Sequence, residues 1–122
     1  MSIELERALF DLEEKFWRSG LAFYRQNLAE GVLMVFPEPV GILVKEQVME
    51  AVTRAPRWTS VEFAQRWLVE ISAATAIIAY RAVARREGDP APYVVLASSA
   101  YVPDGRSWKL AFHQQTPAAS AA

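Results

Sequence analysis

The sequence near the end of the chain reads Ser107-Trp108-Lys109-Leu110-Ala111-Phe112-His113-Gln114-Gln115-Thr116-Pro117. This pattern is typical of the closing strand of a curved antiparallel sheet. A turn at Pro103-Asp104-Gly105-Arg106 precedes the strand, and Pro117 ends it because proline has no N–H to donate to a neighbour. Strict alternation predicts that Trp108, Leu110 and Phe112 share one face and that Lys109, Ala111, His113 and Gln115 share the other.

The rest of the chain divides into an N-terminal half of helices and a C-terminal half of strands. Apolar residues at helical spacing and terminating Gly or Pro residues predict helices over Ile3–Arg18, Leu21–Ala29 and Lys45–Ala55. Runs rich in Val, Ile and aromatic residues predict long strands over Trp58–Ile71, Thr75–Arg86, Tyr93–Val102 and Ser107–Pro117. An uninterrupted apolar run predicts a short strand, buried on both sides, over Val32–Phe36, and a further small strand is possible over Val40–Val44.

This order predicts an α+β fold, in which a cone-shaped antiparallel sheet of four long strands and one short strand wraps around three helices. A length of 122 residues corresponds to one domain, which we assign to residues 1–117. The small-residue tail, residues 118–122, is expected to be disordered.

Composition excludes several classes of function. The net charge of −1 without a basic block argues against a nucleic-acid partner, and the absence of cysteine excludes disulfides and thiolate metal sites. No apolar run reaches the roughly 20 residues that span a bilayer, and the acidic N-terminus lacks the features of a signal peptide. These features predict a cytoplasmic protein with no membrane association, no metal and no cofactor.

Several motifs resemble the nuclear transport factor 2-like superfamily, whose cystatin-like α+β fold occurs in SnoaL-like polyketide cyclases, ketosteroid isomerase and scytalone dehydratase. The similarity extends from about Leu5 to Pro117 and is greatest to bacterial members of unassigned function. The shared motifs are Phe16-Trp17, Met34-Val35-Phe36-Pro37, Ala55-Pro56-Arg57-Trp58, Tyr80-Arg81-Ala82 and the segment from Trp108 to Pro117. The resemblance implies a conical pocket between the helices and the sheet, and a homodimer.

Glu38 is the first catalytic candidate that the resemblance suggests. Ketosteroid isomerase carries a proton-shuttling aspartate in an Asp-Pro-Val-Gly elbow, and this chain has Glu38-Pro39-Val40-Gly41 at a similar place. A carboxylate near apolar walls can act as a general base. The alternative is a solvated glutamate in a rigid turn. The sequence offers no second acid to stabilise an oxyanion, which argues against steroid-type isomerisation.

His113, the single histidine, is the second candidate, as a general base or hydrogen-bond donor beside Gln115. If Trp108, Leu110 and Phe112 pack under the helices, His113 points instead to the opposite face and serves a structural role in a dimer interface.

Aromatic residues supply the candidate ligand-binding set. Together with Gln115, the residues predicted to line the pocket are Trp17, Tyr24, Phe36, Trp58, Tyr80 and Tyr101. The alternative assigns these aromatic side chains to an ordinary core. Small residues beside Tyr80 on one strand face indicate space for a cavity.

Two functional classes therefore remain open. One is a domain that binds a small apolar or aromatic molecule. The other is a cofactor-free acid/base enzyme of the isomerase, dehydratase or polyketide-cyclase type, with Glu38 as the base. Apolar residues on both faces of the long strands exceed what three short helices can cover, which predicts a homodimer built on the convex sheet face.

Overall fold

A computed structural model describes residues 3–119. Its elements, in chain order, are α1 Ile3–Arg18, α2 Leu21–Asn27, β1 Leu28–Val35, β2 Ile42–Val44, α3 Lys45–Arg54, β3 Ser60–Ser72, β4 Thr75–Arg85, β5 Tyr93–Asp104 and β6 Ser107–Pro117. The predicted α+β class, the three helices and the four long strands are confirmed. The second helix is shorter than predicted because the chain becomes extended from Leu28 onward.

The six strands form one curved, unclosed sheet in the order β2-β1-β6-β5-β4-β3. Strands β3 to β6 make the predicted antiparallel meander. The sheet as a whole is mixed, because β1 pairs with β6 in parallel, whereas β2 pairs with β1 antiparallel. The antiparallel arrangement predicted for the four long strands is confirmed, and the parallel pairing of β1 with β6 is an addition that the sequence did not predict.

The helices cover only one face of the sheet, which we call the concave face; the opposite face is the convex face. On β4 the side chains of the concave face are almost completely buried, and they are Ala76, Ile78, Tyr80, Ala82 and Ala84. From α1, Phe10 packs against Tyr80 and Phe63 with ring centroids 5.8 and 5.9 Å apart. The core therefore lies between α1 and the concave face.

Strand β1 is buried on one side only, so the prediction of a doubly buried strand is wrong. Val32 and Met34 are buried, but Leu33 between them is 39% exposed. An apolar run does not reveal that a neighbouring layer is absent, and no helix of the described chain covers the convex face at this point.

A bulge in β6 overturns the strict alternation predicted for this strand and decides the face of His113, which the sequence left open. Tyr101 of β5 pairs with Leu110 and Ala100 pairs with Phe112, so Ala111 has no partner on β5. One extra residue reverses the alternation beyond it. Leu110 and His113 are consequently both buried on the concave face, and Phe112 turns to the convex face with Ala100.

A second irregularity lies in β3, where Gln65 has a φ of 54° and the pairing with β4 shifts between Ala64 and Trp67. Phe63 remains on the concave face and Trp67 pairs with Ala79 on the convex face. Regular alternation along β3 would place these two aromatic side chains on the same face, and the register shift places them on opposite faces.

The end of the described chain is attached to the sheet. The backbone N–H of Ala118 donates to the carbonyl of Val94 over 3.0 Å, and Arg81 donates to the carbonyl of Ala119 over 2.7 Å. Residues 120–122 lie outside the described residues, so the predicted disordered tail stays a prediction for them.

Candidate functional site

A buried carboxylate, Glu13, is the centre of the candidate site. It lies on α1 four residues after Leu9 and three before Phe16, on the stripe that faces the sheet. Only 1% of Glu13 is exposed. A charged carboxylate in such a place costs several kcal/mol unless hydrogen-bond donors replace the lost water.

Strands β4 and β5 supply these donors as three hydroxyl groups. Tyr80 donates to Oε2 in a short hydrogen bond, Ser99 donates to Oε2 over 2.5 Å, and Tyr101 donates to Oε1 over 2.6 Å. The indole N–H of Trp17 donates in turn to the Tyr80 hydroxyl over 3.0 Å. Every buried side-chain nitrogen and oxygen among residues 3–119 has a hydrogen-bond partner, so the network is complete within that range.

His113 joins this network from β6. Its Nδ1 lies 2.7 Å from Ser99 Oγ and 3.3 Å from Glu13 Oε2. Its Nε2 lies 3.0 Å from the side-chain nitrogen of Gln115, whose oxygen accepts a hydrogen bond from Tyr93 over 2.7 Å. A continuous chain of hydrogen bonds thus runs from Glu13 through His113 to Tyr93, which is half-buried.

The pKa values of the network follow from burial and from the Glu13 charge. Burial acts to raise the pKa of Glu13, but the hydrogen bond and charge attraction of His113, together with the hydroxyl donors, outweigh it, and the pKa lies below its ordinary value. Burial, reinforced by the nearby Glu13 charge, holds the pKa values of Tyr80 and Tyr101 well above the ordinary range. These hydroxyl groups therefore stay protonated as donors.

A cavity of about 430 Å³ opens beside this network, between α1, α3, the segment after β1 and the concave face. Five of the predicted ligand-binding residues line this cavity: Trp17, Tyr24, Phe36, Trp58 and Gln115. The two catalytic candidates, Glu38 and His113, line it as well. Tyr80 and Tyr101 do not line the cavity; they lie behind Glu13 as its donors.

Aromatic side chains form much of the cavity wall. Trp58 stacks on Tyr93, with centroids 5.2 Å apart and an angle of 13° between the rings. Phe36 and Trp17 contact the ring of His113 at centroid distances of 5.9 and 6.4 Å. The polar edge of His113 is therefore presented among apolar surfaces.

Arg57 lines the cavity and donates hydrogen bonds to the free carbonyl groups at the C-terminal end of α1. Its Nε donates to the carbonyl of Ser19 over 2.8 Å, and one terminal nitrogen donates to the carbonyls of Phe16 and Trp17, each over 2.7 Å. That nitrogen also donates to the Tyr24 hydroxyl over 3.0 Å. Burial raises the pKa of Tyr24 to about 12, so this hydroxyl remains neutral.

Glu38 lies apart from the buried network. Its side chain is exposed and lines the mouth of the cavity in the segment between β1 and β2. The structure brings His113 and Gln115 to Glu13 but does not bring Glu38 to them. Sequence reasoning missed Glu13 altogether, although a carboxylate at position i+4 from Leu9 on an apolar helix stripe was a usable signal.

No group of three or more His, Cys, Asp or Glu side chains within residues 3–119 is arranged to hold a metal ion. None of the helices in this range has the length and apolar character needed to cross a membrane.

Solved structures identify the fold. A nuclear transport factor 2-like protein of unknown function from Prochlorococcus marinus superposes with a TM-score of 0.77 and 16% identity, covering 99% of this chain and 97% of that one. A protein from Parabacteroides distasonis, provisionally assigned as a ketosteroid isomerase, gives 0.78 and 10% identity over 95% and 89% of the two chains. The association domain of the calcium/calmodulin-dependent kinase II of Caenorhabditis elegans gives 0.74 and 13% over 93% and 92%.

The protein therefore has the nuclear transport factor 2-like fold, and the resemblance inferred from the sequence is confirmed at the level of fold. No protein-family model and no curated protein matches the chain by sequence. At such low identities the structural similarity does not extend to an activity.

The buried network generates a prediction about stability. Replacing Glu13 by Gln should lower the free energy of unfolding at pH 7 by about 3 kcal/mol, because the amide cannot accept all the donors and leaves them unsatisfied. Glu14→Gln is the matched control: Glu14 is exposed and forms only a 3.4 Å ion pair with Arg18, so the change should stay within about 0.5 kcal/mol. Urea unfolding monitored by tryptophan fluorescence measures both.

The same variant has a defined pH dependence. The ordinary pKa of a glutamate side chain is 4.5, and the folded protein lowers the pKa of Glu13 below this value. The stabilisation of the folded state by ionised Glu13 is therefore complete above pH 4.5 and is lost as the pH falls through the lowered pKa. The stability difference between the wild type and Glu13→Gln should therefore narrow as the pH falls below 4.5. A difference that stayed constant down to acid unfolding would contradict a buried ionised carboxylate.

Proposed function

We propose that this protein binds a small apolar or aromatic molecule in the cavity beside His113. The single observation that carries the proposal is an aromatic-walled cavity of about 430 Å³ with one cluster of polar groups at its inner end. This volume lies within the roughly 300–1,000 Å³ of small-molecule sites, which are mostly apolar with a few placed polar groups.

The fold supports the same proposal. Phe36, Trp58 and Tyr93 leave open space beside them instead of filling it, although aromatic side chains in so small a domain could have packed together. The buried network fixes His113 in position and makes its orientation independent of a ligand. A preformed site of this kind loses little entropy on binding.

A second candidate function is cofactor-free acid/base chemistry of the isomerase, dehydratase or cyclase type. The observation that favours it is the contact of His113 with an ionised Glu13, because a carboxylate behind an imidazole stabilises the ring when it accepts a proton. Glu38, the base suggested by the sequence, remains a candidate at the cavity mouth. The similarity to the protein from Parabacteroides distasonis is compatible with this class.

We also propose a homodimer formed through the convex face. Trp67 is 70% exposed, Val69 51% and Leu96 47%, and all three lie on this uncovered face. A chain with the same fold serves as an association domain in the kinase from Caenorhabditis elegans. The sequence predicts a cytoplasmic, bacterial protein without a cofactor, and these three points stay predictions.

The binding proposal predicts that naphthalene, a flat apolar probe, quenches tryptophan fluorescence and raises the melting temperature by mass action. Trp58→Ala should weaken this binding about tenfold, because it removes the stacked wall beside Tyr93. Trp67→Ala, which removes an exposed indole on the convex face, is the matched control and should leave the affinity unchanged. Fluorescence titration and thermal unfolding measure both effects, and unchanged affinity in Trp58→Ala would contradict this location.

The acid/base proposal predicts that the protein accelerates exchange of the acidic C–H hydrogens of a ketone probe such as 2-tetralone in D₂O. His113→Gln should slow this exchange about 100-fold if His113 is the base, and Glu38→Gln should do so if the base is Glu38. Proton NMR follows the exchange, and Glu46→Gln on the exposed side of α3 is the control. An exchange rate equal to that in buffer would rule out this class of reaction for the probe.

The dimer proposal predicts that light scattering at micromolar concentration gives about twice the chain mass of 13.7 kDa. The double variant Trp67→Glu with Leu96→Glu should give the monomer mass, because it places two charges in the interface. Val40→Glu adds one charge at an exposed site near the cavity mouth and should leave the dimer intact. A wild-type monomer would overturn the proposal.

A further inference from the structure

Both ring nitrogens of His113, at the inner end of the cavity, are engaged within the protein. Nε2 lies 3.0 Å from the amide nitrogen of Gln115, and the oxygen of that amide accepts a hydrogen bond from Tyr93. Nδ1 lies 2.7 Å from the hydroxyl of Ser99 and 3.3 Å from a carboxylate oxygen of Glu13. The imidazole therefore offers its surface to the cavity but no unused hydrogen-bonding atom.

Arg57, by contrast, carries an unused nitrogen. Its Nε and one terminal nitrogen, Nη2, donate to carbonyl groups at the end of α1 and to the hydroxyl of Tyr24. The other terminal nitrogen, Nη1, has no hydrogen-bond partner within residues 3–119. Because every fully buried side-chain nitrogen in this range has a partner, Nη1 lies at an accessible surface of a residue that lines the cavity.

Arg86 supplies a second set of unused donors. Its Nε donates to the carbonyl of Pro56 over 2.9 Å, and its guanidinium group stacks on the ring of Trp58 at 3.7 Å. Neither terminal nitrogen has a hydrogen-bond partner within residues 3–119, and both are accessible for the reason given for Arg57. Pro56 directly precedes Arg57, so this hydrogen bond brings the two arginine residues to one part of the cavity wall.

No carboxylate compensates the charge of either arginine. The ion pairs formed within residues 3–119 involve other cations. Glu13 is held by its own hydroxyl donors and His113, and Glu38 is exposed at the cavity mouth. The planar guanidinium group of arginine matches the geometry of a carboxylate, and the hydrogen bonds between two charged groups are the strong ones. Unused N–H groups of two arginines beside an apolar cavity therefore favour an anionic ligand.

We propose that the cavity binds an aromatic carboxylate, whose ring packs on the aromatic wall and whose carboxylate accepts hydrogen bonds from Arg57 and Arg86. This inference rests on the binding function proposed above and specifies its ligand class. A carboxylate has two oxygens, so each arginine can donate to one of them. A single negative charge suits the site better than a phosphate dianion, because Glu13 and Glu38 already place two negative charges around the cavity.

The test compares 2-naphthoate, 2-naphthamide and naphthalene on the full chain at pH 7. The first two probes have the same ring system and nearly the same size, but only 2-naphthoate is charged. We expect 2-naphthoate to bind at least about tenfold more tightly than 2-naphthamide, because hydrogen bonds between charged groups are stronger than those to a neutral amide. Calorimetry measures the affinities.

Arg86→Met removes one of the two charges and keeps an unbranched side chain that can cover Trp58. It should weaken the binding of 2-naphthoate about tenfold and leave the binding of naphthalene unchanged. Arg85→Met is the matched control, because it removes the same charge from a neighbouring exposed side chain that does not line the cavity. Both affinities should be unchanged in this control.

Arg57 is tested in the wild-type protein, because its substitution would also remove the hydrogen bonds to the end of α1. Nitrogen NMR measures how fast the guanidinium hydrogens exchange with water. Addition of 2-naphthoate should slow this exchange at Arg57 and Arg86 but not at Arg85, and 2-naphthamide should slow it at none of them. This measurement also decides the question if Arg86→Met does not fold.

The outcomes separate the two proposals. If 2-naphthoate and 2-naphthamide bind with equal affinity, or if Arg85→Met weakens 2-naphthoate as much as Arg86→Met does, the carboxylate assignment is overturned and the binding function stands. If none of the probes binds, the binding function itself fails, and the ligand class fails with it.

Discussion

The ionised carboxylate of Glu13, enclosed between α1 and the sheet, is the constraint on which the rest of the site depends. Water cannot compensate its charge there, so hydrogen-bond donors from β4, β5 and β6 must converge on it. Tyr80, Ser99 and Tyr101 meet this requirement on two neighbouring strands. Their convergence fixes how α1 sits on the concave face, because a shift of one helical turn would leave the charge without partners.

The buried hydrogen-bond network also depends on the bulge at Ala111 in β6. Without the extra residue, His113 would face the convex side and the network would end at Ser99. With the bulge, the imidazole forms a link between a buried charge and an open cavity. The bulge thus places His113 in the site, while Leu110, which precedes the bulge, stays in the core.

The cavity and the network have different physical characters. The network is polar, buried and internally satisfied, so it does not need a ligand to be stable. The cavity is mostly aromatic and meets the network at His113 and Gln115. This division suits a binding site whose polar specificity is built before the ligand enters, and the same geometry would serve a proton acceptor whose charge is compensated from behind.

The sequence by itself determined the elements of this protein. Helical spacing in Leu5, Leu9 and Leu12, and the long β-rich runs after Pro56, were enough for the fold class, because local patterns record which face of each element is buried. They also indicated His113 and much of the aromatic wall. Only the tertiary structure decided which face of β6 carries His113, since a one-residue bulge leaves no mark in an alternating pattern. It alone revealed the role of Glu13, because that carboxylate is explained by Tyr80, Ser99 and Tyr101, which lie 67, 86 and 88 residues further along the chain. Contacts across such separations depend on how the sheet curves around α1, and no local pattern encodes that curvature.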